Sequence, residues 1–217
     1  MNKKILSLTT TLLLVLLFAS CGMRGRNAEQ NTAEKAEAIE ISDCLDGVII
    51  NGVRWATRNV DAPGTFASTP ESFGMLFQWN RRKGWNAIDE EVENWDNSIP
   101  EGTKWYAKND PCPEGWRMPT REELKSLEDA GSEWITKNGV YGYLLGLIPN
   151  QIFLPAAGGR APDNGELARV GWLGKYWSAT TQYRTTTAWL FWFVSYGSNV
   201  TNGWFRGNGS SIRCVAK

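Results

Sequence analysis

One stretch constrains the fold more than any other: Cys112-Pro113-Glu114-Gly115-Trp116-Arg117-Met118-Pro119-Thr120-Arg121-Glu122-Glu123-Leu124. The Thr120 hydroxyl can accept from an orphan backbone N–H of a first helical turn. Glu123, three residues on, can reach back to the cap's own N–H, and the two together make a capping box. Pro119 disfavours helical geometry at Met118, so the helix begins no earlier than Thr120. Leu124 and Leu127 share one face, and Gly131 suits the stop. Elsewhere the chain reads mostly as short strands and turns.

Val48-Ile49-Ile50 and Val53-Arg54-Trp55 flank Asn51-Gly52, a strong hairpin signal, because both residues of a tight turn between twisted strands need positive φ. Gly74 to Trp79 is a further strand candidate. Residues 81–111 form a long polar excursion punctuated by Trp85, Trp95 and Trp105. Its carboxylates, Asp89, Glu90, Glu91, Glu93 and Asp96, raise the question of a calcium site. Their spacing matches no calcium loop, and Arg81, Arg82 and Lys83 offset them, so a solvated loop and no metal site are expected. Ser132 to Leu147 is ambiguous: Trp134, Ile135, Leu144 and Leu145 suggest a second short helix or packed turns. Ile152 to Arg160 reads as a strand running into small residues; it holds no phosphate-loop motif. Strands are expected at 175–179, 188–194, 200–206 and 211–215, with Trp189 to Phe193 apolar on both faces and therefore central. Hairpin, helix and meander in that order make an α+β domain.

Composition closes off chemistry. Lysines and arginines total 23, as do aspartates and glutamates, so no basic excess exists to hold a nucleic acid. There is no histidine, which excludes Ser-His-Asp and Cys-His catalysis and His-ligated metals. The 12 tryptophans are far more than a chain of 217 residues usually carries. Most are expected to fill the core, and a few to stand on loops.

The first residues read as an export signal. Lys3 and Lys4 precede an apolar run from Ile5 to Phe18, too short to read as a membrane span. Phe18-Ala19-Ser20-Cys21 resembles a lipobox, which implies cleavage before Cys21 and lipidation of its thiol. The expected organisation is a lipoprotein signal at 1–20, a tether at 21–43, polar and free of aromatics, and a globular domain at 44–217. In an exported protein a disulfide is the default. Cys112 and Cys214 both lie in strongly patterned segments and are the chosen pair, with Cys44 a free thiol or an alternative partner.

Several stretches, taken in order, resemble the Fibrobacter succinogenes major paralogous domain, common in lipoproteins of the Bacteroidota. They are Asn51-Gly52-Val53-Arg54-Trp55-Ala56-Thr57-Arg58-Asn59-Val60, Phe77-Gln78-Trp79-Asn80, Asn109 to Leu124, Phe153-Leu154-Pro155-Ala156-Ala157-Gly158, Tyr176-Trp177-Ser178-Ala179-Thr180 and Ser211-Ile212-Arg213-Cys214-Val215. The resemblance implies a C-type-lectin-like fold, related to formylglycine-generating enzymes: two short helices, small antiparallel sheets and long loops. It implies a protein lipid-anchored to the outer membrane. Arg24 and Arg26, where surface-exported relatives carry acidic residues, leave its periplasmic or surface face open.

Two classes of function compete. A non-catalytic binding module would hold a glycan or an envelope protein on its loops without a cofactor. The candidate ligand-binding residues are Arg160, Asp163, Asn164, Trp172, Tyr183, Arg184 and Trp204, since an aromatic face stacks on a sugar while polar groups meet its hydroxyls. Ala161-Pro162-Asp163 and Trp95-Asp96-Asn97 only echo the triplets of calcium-dependent lectins, and Ala161 stands where a carboxylate is needed. An enzyme of the formylglycine-generating type needs paired cysteines or histidine ligands. Tyr176 to Arg213 has neither, so no catalytic residue is assigned. An architectural or tip subunit of an envelope or fimbrial assembly is the alternative to adhesion.

Overall fold

The computed structural model describes residues 47–181, 185–200 and 203–217. Cys21, Cys44 and the proposed signal and tether lie outside them, as do Tyr183 and Arg184. The strands are, in chain order, β1 (Gly47–Ile50), β2 (Val53–Ala56), β3 (Leu76–Phe77), β4 (Gly84–Trp85), β5 (Trp116–Arg117), β6 (Ser132–Lys137), β7 (Val140–Leu147), β8 (Asn150–Pro155), β9 (Gly159–Arg160), β10 (Leu167–Ala168), β11 (Gly174–Thr181), β12 (Thr187–Val194), β13 (Gly197–Asn199), β14 (Gly203–Phe205) and β15 (Val215–Ala216). The α-helix, α1 (Arg121–Asp129), falls between β5 and β6. The fold is thus mainly antiparallel β, in several small sheets, with one α-helix and long loops among the described residues.

The capped helix forms as its sequence predicts. The Glu123 N–H donates to Thr120 Oγ1 at 3.1 Å, and the Thr120 N–H donates to the Glu123 carboxylate at 2.8 Å. Arg117 on β5 forks onto the same carboxylate at 2.9 and 2.6 Å, which couples the entry strand to the cap. Leu124 and Leu127 are fully buried in a cluster with Trp55, Tyr176, Phe191 and Phe193. Gly131 follows the helix at φ 88°, a conformation that terminates it.

Asn51 and Gly52, at φ 49° and 80°, join β1 to β2 in register Val48–Trp55. β12 is central: β11 pairs with one of its edges, and β13 and β14 share the other. The strand expected at 200–206 is therefore shorter, with β13 and β14 taking separate segments of β12.

Residues 132–147 correct the expectation of a second helix. They form the hairpin β6–β7, turned by Asn138 and Gly139 at φ 49° and 81°, and β8 completes a three-stranded sheet. Leu144 and Leu145 lie on a strand whose Gly142 packs against Phe153, where a Cβ would collide with the Leu154 carbonyl. Close backbone approach of this kind favours the sheet over a helix.

Three buried arginines hold the long loops. Arg213 is fully buried and donates to Asn59 Oδ1 at 3.1 and 2.7 Å and to the carbonyls of Ala56 and Phe153, each at 3.0 Å. Burial pushes its pKa down to about 10. Arg206 donates to the carbonyls of Thr187 at 3.1 Å and Gly102 at 2.8 Å, and lies over the Trp79 ring. Arg160 reaches the carbonyls of Asn86, Asp89 and Gly165 at 3.0, 2.8 and 2.6 Å, pinning the polar excursion to the sheets. Cys112 and Cys214 form the disulfide, with Cα atoms 6.1 Å apart, and fasten the approach to α1 to the last strand.

Candidate functional site

β6 and β7 bring their aromatics together because cross-strand and diagonal neighbours on one face lie within ring reach. Trp134 stacks on Tyr141, with centroids 6.1 Å apart, and meets Tyr143 edge-on at 5.8 Å. Tyr143 stacks on Phe193 at 4.5 Å, and Phe193 on Tyr176 at 5.9 Å. The Tyr143 hydroxyl donates to the Val194 carbonyl at 3.0 Å, tying this sheet to the end of β12. An aromatic row therefore runs from the core, where Tyr176 is fully buried, to the surface, where Tyr141 is 49% exposed.

The turn Arg169–Leu173 delivers Trp172 beside the outer end of this row. The N–H groups of Trp172 and Leu173 both donate to the Arg169 carbonyl at 3.1 Å. Gly171 donates to the Ala156 carbonyl and the Gly158 N–H to that of Leu173, each at 2.8 Å. The Gly171 backbone faces the Tyr141 ring, and Leu173 is buried as the anchor of the turn. Trp172 itself is 77% exposed, the only exposed tryptophan of the twelve, all of which are described. Gly174 pairs with Phe193, so the start of β11 and the end of β12 meet at this end of the sheet. Tyr196, in the turn that follows β12, is 90% exposed. These exposed rings, two of them on hydrogen-bonded turns at one end of the β11–β12 sheet, are the candidate platform.

Two cations lie close to Trp172 in the chain. Arg169 is exposed and holds φ 62°, rare for a non-glycine residue. Lys175, on β11, is 5% exposed, with its Nζ 5.3 Å from the Trp204 ring. Burial, with repulsion from Arg169 added, pushes its pKa down to about 8. The Lys175 side chain ends against the Gly159 backbone, in the space a Cβ there would take.

The other sequence candidates are scattered. Arg160 is fully buried and engaged with backbone carbonyls, so it clamps loops and presents nothing to a ligand. Asp163 and Asn164 are exposed on the β9–β10 connection, where Asn164 Oδ1 accepts from the Glu166 N–H at 3.0 Å. Trp95 braces that connection by donating to the Pro162 carbonyl at 3.0 Å. Trp204 is half-buried against the core. Tyr141, Tyr196, Arg169 and Lys175 join Trp172 without having been singled out in the sequence. The Asn138-Gly139 turn, flanked by Trp134 and Tyr141, was the signal that could have found the first of them.

Two shallow polar grooves lie elsewhere. One runs along α1 past Asn51, Arg121 and Lys125, where Lys125 is already paired with Asp129 and Glu128. The other borders Asn80 and Tyr106, where the Asn80 side chain is satisfied by Glu101, Tyr106 and Asn109. Among the described residues no three His, Cys, Asp or Glu side chains gather as a metal site would require, and no helix is long and apolar enough to cross a membrane. Compared with protein-family models, curated proteins and solved structures, the chain matches none.

Proposed function

We propose that the protein is a lipid-anchored, non-catalytic binding module of the bacterial cell envelope, built on a C-type-lectin-like domain of the Fibrobacter succinogenes major paralogous type. Its ligand in this reading is a glycan, received on the platform of Trp172, Tyr141 and Tyr196. The observation that carries the reading is Trp172: a large apolar ring left in water on a turn fixed by four backbone hydrogen bonds. A ring exposed at a fixed angle stacks on the C–H face of a pyranose with little entropy left to lose. The disulfide agrees with an exported chain, since such bonds persist in oxidising compartments. Anchoring by acyl chains on Cys21 would hold the domain at the outer membrane through buried methylenes.

A glycan array probed with the full chain tests the proposal, with Trp172→Ala as the matched control. Saccharide binding that the variant loses supports it. Capture of an envelope protein from extract, unaffected by Trp172→Ala and with an empty array, would favour a protein ligand or an assembly partner instead.

A further inference from the structure

The β7–β8 hairpin ends in residues that a turn in water does not call for. Leu147 pairs with Asn150, so Ile148 and Pro149 form its tip. Leu147 is 77% exposed and Ile148 86%, and Pro149 is exposed as well. The β1–β2 and β6–β7 hairpins turn instead on Asn-Gly, the polar pair that such a turn favours. The apolar tip stands on a fixed base. The Gly146 N–H donates to the Gly131 carbonyl at 3.0 Å, and the Gln151 amide donates to the Gly146 carbonyl at 3.2 Å. No charged residue stands between Lys137 and Arg160 in the chain.

The place of this tip suggests what covers it. Gly146 lies against the Ile50 side chain, whose Cδ1 is 3.0 Å from where a Cβ would stand. Ile49, next to Ile50 on β1, is 58% exposed. Gly47, where the described chain begins, is three residues before Ile50 on the same strand, about 10 Å along it. The end of the domain that carries the apolar tip is thus also the end from which residues 21–46 lead back to Cys21. A coil of that length has a root-mean-square span of roughly 25–30 Å.

We propose that the β7–β8 tip docks on the phospholipid surface to which Cys21 is anchored, with Leu147 and Ile148 entering the hydrocarbon boundary. This inference rests on the lipid-anchored reading above and adds a second contact to it. Leucine and isoleucine partition into hydrocarbon but offer a sugar no flat ring to stack on. A few aliphatic side chains on a convex tip also fall well short of the roughly 800 Å² a side that a specific protein interface buries. A membrane needs no matching shape, and the anchor keeps it at high effective concentration, so a weak contact suffices. Tyr141 lies near the other end of β7, about 20 Å from Leu147 along the strand, so a docked tip would hold the Tyr141 end of the sheet away from the lipid.

The test uses the full chain, reconstituted by its anchor in vesicles of phosphatidylethanolamine and phosphatidylglycerol. An environment-sensitive nitrobenzoxadiazole dye is attached through Ile148→Cys, or through Asn138→Cys at the far turn of β7, each in a Cys44→Ser background. The mass of the N-terminal peptide reports whether Cys21 is acylated. The dye at 148 should shift to the blue and be quenched by doxyl-labelled lipid, while the dye at 138 keeps its aqueous spectrum. Leu147→Asp beside the labelled 148 should restore the aqueous spectrum, which insertion driven by the dye itself would not do. Aqueous spectra at both positions on an acylated chain overturn the inference and leave the anchor standing. A dye at 148 that responds to envelope protein but not to lipid overturns it in favour of a protein contact. An unacylated Cys21 on a chain that stays off the vesicles overturns both readings.

Discussion

Lys175 makes stability depend on pH in a direction that can be worked out. Its folded pKa is about 8 against an ordinary value of 10.5. Between those values the unfolded chain holds a proton that the folded chain has released, so stability rises with pH across that window. Below it both states carry the charge and the full burial penalty applies. Lys175→Met is therefore expected to raise unfolding free energy at neutral pH by on the order of 2 kcal/mol and to remove the alkaline rise. Urea midpoints measured from pH 7 to 10 check this, and a flat wild-type profile contradicts it. Arg213 behaves in the opposite sense, because each of its three nitrogens donates to a buried oxygen. Arg213→Met leaves Asn59 Oδ1 and two buried carbonyls without partners and should lower stability by roughly 3–5 kcal/mol in the same assay. Neither role was legible in the sequence. An arginine that clamps carbonyls and one that waits on a loop look alike until the chain is folded, which is why Arg160 read as a ligand residue.

Among the elements, α1 was legible because its start is a local contract between Thr120 and Glu123 that needs nothing from the rest of the chain. Thr120→Ala should lower stability by about 1 kcal/mol, as seen in denaturant unfolding. Burial raises the Glu123 pKa, but Arg117 and the Thr120 N–H outweigh it and hold it below the usual value. That contribution is complete above the ordinary glutamate pKa and fades as pH falls through the depressed one. Glu123→Gln should accordingly flatten the acid limb of the stability profile, and an unchanged acid limb would count against the Arg117 pair. The β1–β2 hairpin was legible for the same reason, since Asn51-Gly52 states its own turn. The β6–β7 hairpin was missed although Asn138-Gly139 states the same turn. Leucines in a window rich in glycine fit either period, and only pairing with β8 decides between them. The platform went with it, because Tyr141 and Trp134 meet only across that hairpin.

At the scale of the molecule, the disulfide closes a separation of 102 residues, from the approach to α1 to the final strand. Replacing both cysteines by serine should lower stability by up to ~4.7 kcal/mol in the chain-entropy view, read as a fall in the urea midpoint. The pairing could be chosen from the sequence because Cys112 and Cys214 sit in its two best-patterned segments. The proposed function was less accessible, since it turns on which of twelve tryptophans stays in water, and burial is a property of the whole fold. Trp172 is that residue, and the proposed glycan site stands or falls with it. Calorimetric titration of the strongest array saccharide into wild type and Trp172→Ala tests it most directly. The variant is expected to keep the wild-type circular dichroism and urea midpoint while its affinity falls at least about tenfold. A folded Trp172→Ala protein that binds with undiminished affinity would contradict it.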